Sequence, residues 1–355
     1  METGEGLPPA GGPTLNESGR IGPVDRGAVR WKRSAGWVFV VVSLVFVALL
    51  LARQGAALSD LRSDLDRFGW SLRPGWLVAA VSLGTADLFL MGAIWVGLFR
   101  ALGGSVTARE GVAVWMVTNL GRYIPGKLWQ LSGLALYMRE RQQAGAAALT
   151  AAALFQVLVL GTGVAVAGAS LGVELVRGSA LVPIVAVIVL VLVVLLRPAL
   201  TGKAAGALAR RFGESVAAGS PRAGDLWLAV GGLVLAWLVN GAGLWCVWRG
   251  AGGGAAPGVL TMSGVFAASY VAGYLVLFAP GGLVVREGAM AGLLAVTAGV
   301  PVSVGAAVAV LARLWAMASE LLATGIAGVG VGISARGGRD ESTEAFGSNL
   351  DRGEG

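Results

Sequence analysis

Long apolar runs separated by short charged segments divide the chain, and each run predicts one helix. Six of them reach the roughly 17–25 residues that a helix needs to cross a hydrocarbon core. Their predicted bounds are residues 36–52, 75–98, 146–171, 180–196, 226–248 and 304–333. The pattern therefore predicts an all-α, polytopic membrane protein with about six spanning helices.

Shorter apolar segments lie between these spans. Residues 111–121 and 128–138 each supply about eleven residues, or ~16 Å of helix, which is about half a bilayer. The stretch between them carries the polar side chains Arg122, Tyr123, Lys127 and Gln130, with a break at Pro125 and Gly126. Two half-length arms joined at such a break predict a re-entrant hairpin whose tip lies near the membrane midplane.

The break occurs a second time in the chain. Pro125-Gly126-Lys127-Leu128 with Gly133 has a counterpart in Pro280-Gly281-Gly282-Leu283 with Gly288, so both copies read PGxL-x4-G. The second copy predicts a hairpin over residues 260–300 that turns at Pro280, Gly281 and Gly282, and its first arm is long enough to span the membrane fully as the alternative. An odd number of spans separates the two hairpins, which would therefore enter from opposite sides. This predicts an inverted repeat with halves at 75–171 and 226–333.

Basic residues set the predicted orientation. Lys and Arg concentrate in the loop 197–222 and in a segment before the first span that contains Arg26, Arg30, Lys32 and Arg33. Cytoplasmic loops carry such an excess, so both termini are predicted to be cytoplasmic in a multi-pass plasma-membrane protein. Disordered tails at 1–35 and 334–355 would flank the membrane domain 36–333. Leucines at helical spacing over 58–72 predict an amphipathic helix on the external surface.

Composition narrows the function classes. With 56% hydrophobic and 13% charged residues and a mean hydropathy of +0.76, the chain has too few polar residues to cover the surface of a water-soluble protein of this size. The net charge of +7 is explained by the loops beside the spans, so no nucleic-acid partner is expected. There is no His and one Cys, Cys246, which excludes a zinc site of Cys and His ligands and a disulfide framework. No cofactor is expected.

Seven ionisable residues fall at predicted membrane depth: Asp87, Arg122, Lys127, Arg286, Glu287, Arg313 and Glu320. Each charge costs ~2.5–3.5 kcal/mol at a helix centre, so together they must pair or line a wet cavity. One hypothesis pairs Glu287 with Arg313 or Lys127 and leaves Arg286 and Arg122 to a ligand's phosphate. The alternative is a purely structural ion network. The candidate substrate-binding residues are Arg122, Tyr123, Lys127, Gln130, Arg286, Glu287, Arg313 and Glu320, and none is assigned to catalysis or to a metal.

The two motif segments resemble a known family. Residues 121–129 and 280–288, with Arg313-Leu314-Trp315 and Ala101-Leu102-Gly103, look like the lysylphosphatidylglycerol synthase transmembrane-domain family, often called flippase-like. The resemblance covers roughly residues 36–333 and implies translocation of aminoacylated phosphatidylglycerol or handling of lipid-linked sugars. Only about twenty polar residues follow the last predicted span. The soluble aminoacyl-transferase domain is therefore expected to be absent, and the resemblance implies the lipid-handling half alone.

The sequence thus favours a flippase or transporter that moves an anionic or lipid-linked head group between leaflets for cell-envelope assembly. Two alternatives stay open. One is a membrane-embedded transferase acting on a polyprenyl-linked sugar, with Asp87 or Glu287 as the base. The other is a non-catalytic scaffold for envelope-biosynthesis enzymes, which would dock at the loop 197–222. The expected partner is a membrane lipid or lipid-linked substrate, and the pattern gives no oligomeric state.

Overall fold

The computed structural model describes residues 57–119, 145–172, 219–253, 256–275 and 284–350, with isolated positions between 134 and 210. Every secondary-structure element in these residues is a helix, and all of them belong to the compact unit Leu51–Gly355. Their bounds are α1 Ala57–Phe68, α2 Pro74–Ala101, α3 Ala108–Asn119, α4 Gly145–Leu171, α5 Ala223–Gly250, α6 Val259–Leu275, α7 Val285–Ala298 and α8 Val302–Leu350.

Among the described residues, four helices are long and apolar enough to cross a membrane: α2, α4, α5 and the first part of α8, Val302–Gly328. They coincide with the spans predicted at 75–98, 146–171, 226–248 and 304–333, and the helices expected there are confirmed. The spans predicted at 36–52 and 180–196 lie outside the described residues. Helices that are apolar on every side, as these are, belong in a large core or in lipid.

The core of the bundle is the pair formed by α2 and α5. Both helices have 28 residues, and they pack in opposite directions. At one end the N–H of Ser71 donates to the carbonyl of Ala251 at 3.1 Å, and at the other the N–H of Gly219 donates to the carbonyl of Leu102 at 3.1 Å. The chain entering each helix is therefore bonded to the end of the other helix, which fixes the pair in register.

The two helices of this pair end in the same turn. α2 continues into Leu102-Gly103-Gly104 and α5 into Ala251-Gly252-Gly253. In each turn the first glycine has a φ of 91° and donates to the carbonyl of an arginine, while the second donates to the carbonyl of an aromatic residue. This is the left-handed helix end that glycine favours. The C-termini of α2 and α5 are thus built alike.

Within these turns, Gly252 leaves little room for a side chain. A Cβ there would collide with the carbonyl oxygen of Gly69 and the amide nitrogen of Ser71. We expect Gly252→Ala to lower the free energy of unfolding by about 2–3 kcal/mol, because the left-handed conformation costs alanine about 1–2 kcal/mol and the clash adds about 1. Gly69→Ala is the matched control, since Gly69 has a φ of 73° but open space around it. Equal losses for both variants in denaturant unfolding would contradict the clash.

Three shorter helices pack among the long ones. Within the described residues α3, α6 and α7 have 12, 17 and 14 residues, and α3 and α6 each end where those residues end. α3 approaches α2 at Gly92, where a side chain would meet Val112 and Trp115, and α6 approaches α5 at Gly241, where it would meet Ser263. Because Gly92 and Gly241 have no side chain, α3 can pack closely against α2, and α6 can pack closely against α5.

These short helices correspond to parts of the predicted hairpins. α3 overlaps the arm predicted at 111–121, and α6 and α7 lie inside the segment predicted at 260–300. The other arm, predicted at 128–138, falls outside the described residues apart from Leu134, which is helical and buried. Both segments therefore contain helix, and the re-entrant hairpins stay a prediction.

α1 is helical over most of the stretch predicted to be amphipathic. It ends at Phe68 and not at residue 72, because Gly69 turns the chain with a φ of 73°. Asp64 accepts a hydrogen bond from the hydroxyl of Ser303 at 2.6 Å, and its carboxylate lies 3.9 Å from Arg67. α1 is therefore attached to the first turn of α8.

α8 extends farther than the sequence predicts. The last span is expected to end at residue 333 with a disordered tail after it, whereas the helix continues to Leu350. No proline interrupts residues 334–350, and the two Ala, two Arg and two Glu residues there favour helix, whereas Gly337, Gly338 and Gly347 do not. Extending an existing helix needs no new nucleus, so the preceding span carries the helix into this polar segment.

Candidate functional site

The candidate site is centred on the first turn of α7. This helix begins after Val284, which has a φ of 73° and a ψ of −49°. Positive φ is rare for a β-branched residue, and such strain costs about 1–3 kcal/mol. The Glu287 carboxylate oxygen Oε2 accepts the backbone N–H of Val284 at 2.8 Å, and the N–H of Gly288 donates to the Val284 carbonyl at 2.8 Å. The backbone N–H and the carbonyl of Val284 are therefore both hydrogen-bonded within the first turn of α7.

Glu287 also binds a cation from another helix. Its Oε1 lies 3.6 Å from Nη1 of Arg313 in α8, and the two side chains are only 16% and 14% exposed. One carboxylate oxygen of Glu287 thus accepts a backbone hydrogen bond at the start of α7, and the other forms the ion pair with Arg313. The predicted pairing with Arg313 is confirmed, while Lys127 lies outside the described residues. Because both ions are largely removed from water, loss of either would leave the other uncompensated.

Arg286 contacts a different neighbour, as expected for adjacent residues on a helix. Its guanidinium carbon lies 4.8 Å from the ring centroid of Phe266 and 5.6 Å from that of Tyr270, one turn apart on α6. Guanidinium groups are attracted to aromatic faces by cation–π interaction. The planar fork of arginine also matches a carboxylate or phosphate through two parallel N–H donors. The arrangement positions Arg286 for recognition of such an anion.

The two rings beneath this guanidinium belong to an aromatic cluster that joins α5, α6 and α8. Trp237 lies 6.3 and 5.5 Å from them, and Trp315 lies 5.7 Å from Phe266. The indole N–H of Trp237 donates to the Thr162 hydroxyl at 3.0 Å, and that of Trp315 donates to the Ala80 carbonyl at 2.6 Å. The aromatic surface is therefore fixed by hydrogen bonds to α4 and α2 as well as by ring packing.

Two other carboxyl groups from the predicted set are buried. Glu320 is 5% exposed and follows Arg313 by seven residues on α8, a spacing that places both on one helix face. Asp87 is 6% exposed and lies at the interface of α2 and α5, where Asn240 is within hydrogen-bonding range of it. The carboxyl groups thus occupy different parts of the bundle.

The remaining predicted residues lie outside the described residues. They are Arg122, Tyr123, Lys127 and Gln130, and the hairpin-tip residues Pro125, Gly126, Pro280, Gly281 and Gly282. The described part of the chain brings together Arg286, Glu287 and Arg313. Their role in substrate binding, and that of Glu320, stays a prediction.

Two features of the site were not predicted from the sequence. Phe266, Tyr270 and Tyr274 recur every fourth residue, so they share one face of α6, and this spacing could have indicated an aromatic face beside the charged residues. The positive φ of Val284 has no comparable signal, because valine is among the residues that such a conformation disfavours.

Apolar helices of membrane-spanning length, packed with shorter helices that carry a shielded ion pair and a stacked arginine, define a polytopic helical membrane protein. Residues 37–323 match the family described as the lysylphosphatidylglycerol synthase TM region, and the chain belongs to that family. This confirms the resemblance carried by the two Pro-Gly segments and makes the chain a membrane protein of lipid metabolism or transport. No curated protein and no solved structure matches it.

Proposed function

We propose that this protein binds the anionic head group of a membrane lipid between two re-entrant hairpins and moves it between leaflets for cell-envelope assembly. The lipid would be an aminoacyl-phospholipid or a glycolipid precursor. Arg122, Lys127 and Arg286 would hold its phosphate, Tyr123 and Gln130 would add polar contacts, and Glu287, Arg313 and Glu320 would pair or gate. The observation that carries the proposal is the Arg286 guanidinium on its aromatic faces, next to the Glu287–Arg313 pair.

The charges at the start of α7 favour a phosphate over a cationic group. Arg286, Glu287 and Arg313 together carry one net positive charge. The N-terminus of α7 adds partial positive charge, which stabilises an anion beside the first turn of a helix. Glu287 is paired with Arg313, and the guanidinium of Arg286 lies on the aromatic rings beside this pair. A lipid phosphate bound at this turn would add a negative charge next to both arginines.

Contacts between α6 and α7 support the re-entrant part of the proposal. Arg286 in the first turn of α7 contacts Phe266 and Tyr270 in the middle of α6. α6 and α7 therefore fold back on each other, as the two arms of a hairpin would.

The pair formed by α2 and α5 supports an inverted repeat. The helices are equal in length, antiparallel and closed by the same turn. Gly92 and Gly241 stand at equivalent positions, each eleven residues before the first glycine of its turn (103 − 92 and 252 − 241), and each receives the short helix that follows. Two halves of this kind related by a two-fold axis in the membrane plane would have opposite topologies. The excess of Lys and Arg in the loop 197–222 would place both termini on the cytoplasmic side of the plasma membrane.

Lipid profiling of a deletion strain with leaflet-selective labelling tests the proposal. We expect one anionic lipid species to keep its total amount while its share in the outer leaflet falls, because only its movement would be lost. Disappearance of a lipid species would instead indicate a membrane-embedded transferase. If neither amount nor sidedness changes, the proposal fails and a scaffold for envelope enzymes becomes the better account.

A further inference from the structure

One buried carboxyl lies apart from the first turn of α7. Asp87 sits midway along α2, with about 20 Å of helix on either side, at the interface with Asn240 of α5. Its Oδ1 has no hydrogen-bond partner among the described residues, and the same is true of Oγ1 of Thr85 two residues earlier. Unsatisfied polar atoms are uncommon in packed interiors, and each needs an explanation such as water, an ion or a functional role.

The helices packed against α2 bring no counter-charge to Asp87 among the described residues. α4 contains no titratable side chain. The titratable residues on the other neighbours are Arg109 and Glu110 on α3, Asp225, Cys246 and Arg249 on α5, and Arg313 and Glu320 on the apolar part of α8. Arg109, Glu110, Asp225 and Arg249 lie in terminal turns, and Arg313 is paired with Glu287. Asn240 is the polar group that reaches the Asp87 carboxyl.

An ionised carboxylate is poorly suited to this position. With no cation from the described residues beside it, a charge at the centre of a spanning helix is costly, and intramembrane acids in transport proteins commonly belong to proton pathways. A bound proton removes the charge and needs no additional space. The amide of Asn240 suits both states, because it donates to a carboxylate and accepts from a protonated carboxyl. The packed interface therefore fits the protonated form, and the ionised form requires entry of water.

We propose that Asp87 binds and releases one proton in each transport cycle, so that movement of the lipid is coupled to a proton gradient. This inference rests on the proposed lipid translocation. The carboxylate takes up H⁺ from one aqueous side, holds it while α2 and α5 are packed together, and releases it to the other side when the interface opens. One proton crosses per lipid, and no other bond is made or broken.

The coupling is tested with the full-length protein in proteoliposomes that contain a head-group-labelled anionic phospholipid. Potassium and valinomycin hold the membrane potential at zero while one pH unit is applied across the membrane. One proton per lipid then supports an approximately tenfold difference in the lipid's leaflet ratio, since each pH unit is worth one factor of ten. We expect about tenfold for the wild type, a ratio of one for Asp87→Asn, and a retained response for Asp87→Glu. A wild-type ratio of one would overturn the coupling.

Infrared spectroscopy tests the proton itself without any transport. We expect a carboxylic C=O band at neutral pH that shifts when aspartate carboxyls carry ¹³C and that is missing in Asp87→Asn. Glu320→Gln is the matched control, since it removes another buried carboxyl and should leave this band in place. The labelled wild type gives the answer even if Asp87→Asn does not fold. A missing band, or one that disappears only in Glu320→Gln, overturns the assignment of the proton to Asp87.

The two readouts separate this inference from the proposed function. If the protein moves no lipid but the aspartate band is present, lipid translocation is wrong, and with it the coupling, while Asp87 remains the protonated group. If lipid moves and the band is absent, translocation stands and the proton assignment fails.

Discussion

Replacing Glu287 with alanine should lower the free energy of unfolding by about 3–5 kcal/mol, because it removes the carboxylate that pairs with the shielded guanidinium of Arg313. The carboxylate has two partners, Nη1 of Arg313 at 3.6 Å and the backbone N–H of Val284 at 2.8 Å. Its removal also frees the strained backbone at the start of α7. Reversible unfolding of the purified protein in detergent or bicelles would measure the loss.

Asp225→Ala provides the matched control for this experiment. Asp225 occupies the same position in α5 that Glu287 occupies in α7, and its Oδ2 accepts the backbone N–H of Arg222 at 2.9 Å. Its removal reports the loss of a helix cap alone, about 1 kcal/mol. The double variant Glu287→Gln and Arg313→Met should recover most of the loss, since neither charge remains. Equal losses for Glu287→Ala and Asp225→Ala would show that the ion pair contributes nothing.

Arg286→Ala should weaken binding of an anionic phospholipid head group by about 10- to 100-fold, and head-group movement should fall with it. Hydrogen bonds to charged groups contribute about 1.5–3 kcal/mol, and each 1.4 kcal/mol corresponds to a factor of ten. Arg286→Lys should retain part of the affinity, because an ammonium keeps the charge but loses the planar fork. Titration of the purified protein with short-chain anionic lipid would measure both.

Arg249→Ala is the control for Arg286→Ala. Arg249 also lies over two aromatic rings, at 5.9 Å from Trp76 and 5.7 Å from Trp245, but it is in the last turn of α5 and outside the proposed site. We expect this variant to lose stability without a change in head-group affinity. A similar loss of affinity in both variants would mean that Arg286 acts through the fold and does not contact the lipid.

Local patterns predicted much of the helical architecture. The run at 226–248 gave α5 to within three residues at each end, because long apolar stretches bounded by charged or glycine-rich segments leave few alternatives to a helix. Arg313 is also one of the two partners that the sequence predicts for Glu287, since charges at membrane depth must be neutralised. The extension of α8 to Leu350 was missed, because its polar residues resemble those of a disordered tail.

Local sequence patterns do not predict contacts between distant parts of the chain. The approach of Asn240 to Asp87 depends on the register of α2 against α5, which is set by backbone bonds at the two ends of the pair. The position of Arg286 over Phe266 depends on how α6 and α7 fold back on each other. Neither spacing along one helix nor composition contains that information.

The central claim is that the charged first turn of α7 carries an anionic head group across the membrane. Proteoliposomes holding a head-group-labelled anionic phospholipid measure this directly, through the fraction of label that a membrane-impermeant quencher reaches. The account predicts that the wild type raises this fraction from about half, the outer leaflet alone, to nearly all. Arg286→Ala should remain near half and Arg249→Ala should follow the wild type. A wild-type fraction that stays at the level of protein-free liposomes would contradict the account.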